Sequence, residues 1–136
     1  MTEAEGPAWV TYDQVIAIHS RQLRRFGGAP GLRDDGLLRS ALERPANKWH
    51  YEHAGLPELG ASYAFGLAKN HPFVDGNKRT AGMVMLTFLQ LNGLEPIATE
   101  MDYYQVMMAV ANGQLKKEQL ADWLKTVTNG TPPEIV

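Results

Sequence analysis

Lys78-Arg79-Thr80-Ala81-Gly82-Met83-Val84-Met85-Leu86-Thr87-Phe88-Leu89-Gln90-Leu91-Asn92 is the stretch on which the fold turns. Met83, Val84, Met85, Leu86, Phe88, Leu89 and Leu91 surround the axis of a helix instead of lining one stripe of it. A helix apolar on nearly every side belongs in the middle of a bundle. Gly93 is placed to end it in the left-handed conformation of a C′ residue. The apolar run from Ala81 to Leu91 falls short of the ~20 residues of a bilayer span and is broken by Thr87 and Gln90, so no membrane association is expected.

Upstream of it, Pro57 suits the first turn of a helix running to about Lys69, in which Ala61, Ala64, Gly66 and Ala68 admit a close neighbour. Thr11 and Gln14 have capping-box spacing, so a helix should begin near Tyr12 and end at Gly27-Gly28. A helix capped by Asp34 or Asp35 carries Leu37, Leu38, Ala41 and Leu42 on one face, with Pro45 as its stop. Ala46 to Leu56 lacks a helical period and reads as an exposed connector with Trp49, His50, Tyr51 and His53, able to hold a short hairpin. Downstream, Asp102 caps a segment with Val106, Met107 and Val110, and Leu120, Trp123, Leu124 and Val127 mark a last helix. The fold class is all-α: residues 1–10 are expected to be disordered, 11–128 to form one domain and 129–136 to be a disordered tail.

The chain has 136 residues, 13 Lys+Arg against 15 Asp+Glu, and no cysteine. That length can bury a core without staples, and the lack of Cys excludes disulfides, thiolate metal sites and Cys nucleophiles. A formal charge of −2 argues against a broad nucleic-acid footprint, so no direct nucleic-acid partner is expected. The opening residues lack the basic and apolar regions of a secretory signal, which leaves the cytoplasm as the expected location.

Polar chemistry gathers just ahead of the buried helix, in His71-Pro72-Phe73-Val74-Asp75-Gly76-Asn77-Lys78-Arg79-Thr80. A helix starting near Asn77 points free N–H groups and a positive dipole end into this loop, and Lys78 and Arg79 add full charges. Gly76 permits a close ligand approach. His71 can accept a proton near neutral pH, and Asp75 offers an oxygen ligand for Mg²⁺ against a phosphate. Together these suit phosphoryl or nucleotidyl transfer to a hydroxyl. Plainer readings exist: Asp75 or Asn77 could cap the helix, and Thr80 could cap or pack its first turn. Cations at a helix start, however, oppose the dipole and ask for an anion. His19 reads as a core-edge structural residue, and His50 with His53 lacks the further ligands of a metal site.

The segment resembles the signature of the Fic/Doc family, His-x-Phe-x-Asp/Glu-Gly-Asn-Gly/Lys-Arg, which leads into the central helix of an all-α bundle. His71, Phe73, Asp75, Gly76, Asn77 and Arg79 fall on its positions. Gly28 to Asp34, Leu67 to Asn70 and Leu89 to Gly93 are similar to the Doc, or death-on-curing, branch of toxins from toxin–antitoxin pairs. Lys78 stands where adenylyl-transferring Fic enzymes carry Gly, and Gly82 stands where they carry a second Arg.

The resemblance to the Doc branch implies ATP bound in reverse, a protein kinase acting on a Ser/Thr hydroxyl, and elongation factor Tu as target, with translation arrested. It implies His71 as general base, Asp75 as Mg²⁺ ligand, and Lys69, Gly76, Asn77, Lys78 and Arg79 around the phosphates. A flap aligning the target peptide by strand addition would then fall at Trp49, His50 and Tyr51. The self-inhibiting Ser/Thr-x-x-x-Glu-Gly/Asn motif of other Fic proteins does not occur, so restraint would come from a cognate Phd-like antitoxin in trans. Adenylyl transfer and a catalytically silent anion- or antitoxin-binding module are the alternative readings.

Overall fold

Thr11 accepts the Gln14 N–H through its side chain while Gln14 returns a bond to the Thr11 N–H, and from that capping box the first helix, α1, runs Tyr12–Phe26. The computed structural model describes residues 6–128. In it α1 is followed by α2 (Asp35–Glu52), α3 (Leu56–Asn70), α4 (Asn77–Leu91), α5 (Glu100–Ala111) and α6 (Lys117–Thr128). Among the described residues there is no strand, only one antiparallel bridge between Leu32 and Phe73, and no helix is long and apolar enough to cross a membrane.

The bundle centres on α3 and α4 packed together: α2 and α6 cover α3, while α1 and α5 cover α4. Val84, Met85, Phe88 and Leu89 of α4 are fully enclosed, as are Leu59, Ala61, Ala64 and Leu67 of α3. The small residues of α3 do the work their size allows. A methyl at Gly66 would sit 3.4 Å from the Ala41 methyl, so α2 lies directly on the α3 backbone. One face of α4 is less sheltered than its composition implies, with Met83 and Leu86 half-buried beside a cavity shared with α5.

Three expectations are corrected. Pro45 does not stop α2, which continues to Glu52. Leu38, Ala41 and Pro45 form one buried stripe at spacings of three and four, and its packing outweighs the ~3 kcal/mol that an interior proline costs. Trp49, His50 and Tyr51 therefore occupy the last turn of α2, not an exposed connector or hairpin. Their N–H groups are spent within the helix, and a helical turn offers no extended edge there for a target strand. Residues 6–10 are packed, not disordered: the Asn92 amide pairs with both the N–H and the C=O of Ala8, and Trp9 stacks on Phe88 at 5.8 Å. Residues 1–5 and 129–136, expected to be disordered, lie outside the described residues. A smaller difference is that Thr99 caps α5 and Asp102 returns its bond.

Tyr63 ties the chain start to the core, its hydroxyl accepting the Val10 N–H at 3.0 Å and donating to the Val10 C=O at 3.2 Å. Burial pushes the phenol up to about 12, so it remains a donor at every physiological pH. Tyr63→Phe leaves the buried Val10 groups unpaired and is expected to cost about 1–3 kcal/mol in a urea melt. A loss below about 0.5 kcal/mol would mean that Val10 finds other partners.

Candidate active site

The site is the junction of three chain segments: the end of α3, the loop 71–76 with the start of α4, and the extended stretch between α1 and α2. His71 ends α3 in the left-handed conformation, φ 53°. Arg33 holds that turn, its Nε donating to the His71 C=O at 2.7 Å and its Nη2 to the Asn70 C=O at 2.9 Å. Backbone bonds from Arg33 N–H to Pro72 C=O (2.7 Å) and from Val74 N–H to Gly31 C=O (3.0 Å) flank the Leu32–Phe73 bridge. In such a pairing the N–H and C=O of Leu32 point away from the loop.

Asn77 is only 4% exposed, and its amide is consumed inside the loop. Its Oδ1 accepts the Phe73 N–H, while its Nδ2 donates to the Phe73 C=O and, at 3.1 Å, to Nδ1 of His71. The Phe73 backbone dictates which way the amide points, so Nδ1 of His71 is the acceptor and the neutral ring carries its proton on Nε2. Asn77 is expected around the phosphates; its amide is spent on these bonds, which leaves its backbone N–H as the group available to an anion.

Gly76 is the N-cap of α4 at φ 78°, where a side chain is strained and would also crowd Leu23 at 3.3 Å. Thr80 N–H bonds to the Gly76 C=O, so the N–H groups of Asn77, Lys78 and Arg79 remain without a helical partner. Neither Lys78 nor Arg79 is in an ion pair among the described residues. The Arg79 guanidinium lies over the rings of Phe26 (4.3 Å) and Tyr104 (5.7 Å). Thr80 neither caps the helix nor finds a hydrogen-bond partner for its buried hydroxyl.

From these cations a cavity of about 480 Å³ extends between α1, α4 and α5, walled by Gln22, Lys78, Arg79, Gly82, Met83 and Met107 among others. Even a methyl at Gly82 would come within 3.2 Å of Met107 Cγ, so the missing side chain is what brings α5 close there.

The exposed Asp75 carboxylate accepts the Ala29 N–H on Oδ2 at 3.1 Å and the Gly76 N–H on Oδ1 at 2.9 Å. Those two N–H groups, with the Arg79 charge assisting, hold its carboxyl below the usual carboxylate range. A Cβ at Gly28, φ 126°, would stand 2.8 Å from Oδ2, so the Asp75–Ala29 contact needs glycine there.

Other expected site residues are elsewhere. The Lys69 ammonium lies over Phe65 at 5.6 Å, one turn back on α3, and does not line the cavity. Trp49, His50 and Tyr51 sit at the far end of α2 from Asp34, whose backbone pairs with the loop. No group of three metal-binding side chains occurs among the described residues. The sequence reading gave His19 a structural role only and used residues 28–34 for the family resemblance alone; it placed neither against the loop, where His19 stacks on Phe73 and Ala29 and Arg33 bond to it.

The family model described as the Fic/DOC family matches residues 9–89, well over half of the chain. The chain belongs to the Fic/Doc family. It is similar to "Protein kinase doc" of Escherichia phage P1, 31% identical over 117 residues that cover 85% of this chain and 92% of that protein. It is similar to "Toxin Doc" of Mycolicibacterium smegmatis, 42% identical over 80 residues, or 57% of this chain and 60% of that one. A third relative, "Protein adenylyltransferase Fic" of Drosophila melanogaster, is 31% identical over 91 residues, 64% of this chain but 18% of the fly protein. The α5 wall of the cavity lies beyond the segment that the Fic/Doc model matches.

Proposed function

We propose that this Fic/Doc protein is a Doc-type toxin that transfers the γ-phosphate of ATP to a Ser/Thr hydroxyl of a protein, with elongation factor Tu as the target by likeness. One observation carries the reading: three N–H groups without a helical partner and two cations outside any ion pair among the described residues gather at the start of α4, where the Asn77 amide bonds the His71 ring, and both cations line a cavity along Gly82. Donors so placed favour charge developing on a transferring phosphoryl group. The cavity gives the rest of a nucleotide somewhere to go when the terminal phosphate lies at His71. Likeness to a protein kinase over most of both chains supports the same direction.

In the proposed step the target hydroxyl loses its proton to His71, its oxygen bonds the γ-phosphorus, and the bond to the departing ADP breaks. The resting tautomer has Nε2 protonated, so uptake of the hydroxyl proton at Nε2 requires the ring to carry its own proton on Nδ1 instead, which breaks the Asn77–Nδ1 bond as substrate binds. Lys78, Arg79 and the N–H groups of residues 77–79 hold the phosphates. Asp75 fits a Mg²⁺ site as an exposed, ionised carboxylate, each oxygen using one lone pair on a backbone N–H and keeping another free. Mg²⁺ there would offset phosphate charge, the other ligands being phosphate and water. The unpaired edge of Leu32 is a better place than α2 for a target strand. An antitoxin supplied in trans is the proposed restraint.

The test is to incubate the protein and His71→Ala with bacterial lysate and ATP labelled on the γ- or the α-phosphate. Label from γ alone, lost in the variant, is the expected result. Label from α would establish adenylyl transfer, the activity named for the fly relative, and absence of His71-dependent label would leave a binding module. Asp75→Asn is expected to weaken Mg²⁺-dependent ATP binding by at least about tenfold in calorimetry; an unchanged titration would remove Asp75 from the metal site.

A further inference from the structure

His19 is an anomaly on α1. It lies on the face that buries Val15, Ile18 and Gln22, and it is itself only 6% exposed. Its ring stacks on Phe73 with centroids 3.7 Å apart and planes 8° from parallel. Its Nε2 is 2.8 Å from the backbone oxygen of Asp75, a carbonyl that can only accept, so the ring donates and holds its neutral proton on Nε2. Packing alone would be served by leucine or phenylalanine. What histidine adds is one buried donor aimed at one peptide of the anion loop.

That peptide joins Asp75 to Gly76. A glycine at φ 78° makes the left-handed N-cap accessible, but glycine also makes rotation of the adjoining peptide plane cheap. A rotated plane would turn the Gly76 N–H away from the Asp75 carboxylate, which it now bonds at 2.9 Å. It would re-aim that carboxylate and the first N–H groups of α4. The plane is held at both ends: by His19 on its carbonyl and by Asp75 on its N–H.

We propose that His19 is a positioning residue for phosphoryl transfer: stacked on Phe73 and bonded to the Asp75 carbonyl, it locks the 75–76 peptide so that Asp75 and the α4 N–H groups face the nucleotide. It acts through the loop and touches neither reactant. The inference rests on the proposed activity, and its test is arranged to separate the two.

His19→Phe keeps the stacked ring and removes the donor, whereas His19→Gln places an amide N–H within reach of the same carbonyl. Turnover of γ-labelled ATP onto the lysate target is expected to fall on the order of tenfold to a hundredfold in His19→Phe, with the dependence on target concentration unchanged. His19→Gln should regain most of it. Nitrogen-15 NMR of the free protein should show the Gly76 amide displaced in His19→Phe and near its original position in His19→Gln. Equal turnover by His19→Phe and wild type would overturn the proposal, and so would equal impairment of both variants, which would mark the ring as structural only. If wild type itself transfers no label, the proposed activity fails, and the NMR comparison still decides whether His19 holds the loop: an undisturbed Gly76 amide in His19→Phe would refute it.

Discussion

Alanine at position 71 is expected to reduce label transfer by two to four orders of magnitude, the usual range for losing a positioned general base, and to leave the fold intact. The separation follows from where His71 sits. Its ring is on the surface at the end of α3, and its one side-chain bond is to the Asn77 amide. Without the ring, Asn77 keeps both bonds to the Phe73 backbone, and Arg33 keeps its bond to the residue-71 carbonyl, because neither uses the imidazole. At φ 53° in the left-handed region alanine is less favoured than histidine, but it is not β-branched, so the added backbone cost is small beside the stability of the domain. Circular dichroism melts run beside the transfer assay should coincide with wild type within a few degrees. Retention of more than about a tenth of the transfer rate would remove His71 from the role of base.

Phe88→Ala carries the largest expected loss of stability, about 3–5 kcal/mol. Its ring is wholly buried, stacked on Trp9 at 5.8 Å and tilted against Tyr63 at 5.1 Å. Truncation empties the place where the segment before α1 meets both central helices. Against a total of roughly 5–15 kcal/mol for a domain, that is a large share. The urea midpoint should fall accordingly with an unchanged slope, whereas a loss below about 1.5 kcal/mol would show that Trp9 and Tyr63 collapse onto the space.

Local signals were legible in the sequence where local physics decides the outcome. The Thr11–Gln14 capping box, Gly27 and Gly93 as stops and Pro57 at a helix start act within a few residues, and each element boundary they mark is observed. The reading failed at Pro45, where a local penalty met a buried stripe against α3, and at Trp49 to Tyr51, whose helix depends on that same packing. It placed Asn77 around the phosphates but did not show that the Phe73 backbone claims its buried amide and leaves only the backbone N–H for a ligand. Val10 and Trp9 read as a loose end, since their partners Tyr63 and Phe88 are more than fifty residues away.

By itself, then, the sequence determined an all-α bundle, six helices with most of their ends, and a phosphate-suited loop at the start of a buried helix. Those follow from periodicity, capping and charge along the chain. Only the tertiary structure decided which side chains remain free for a ligand, that Arg33, Ala29 and His19 support the motif loop, and that a cavity opens beside Gly82. Such facts depend on groups far apart in sequence competing for the same hydrogen bonds and the same space, and that competition is settled only when the helices pack.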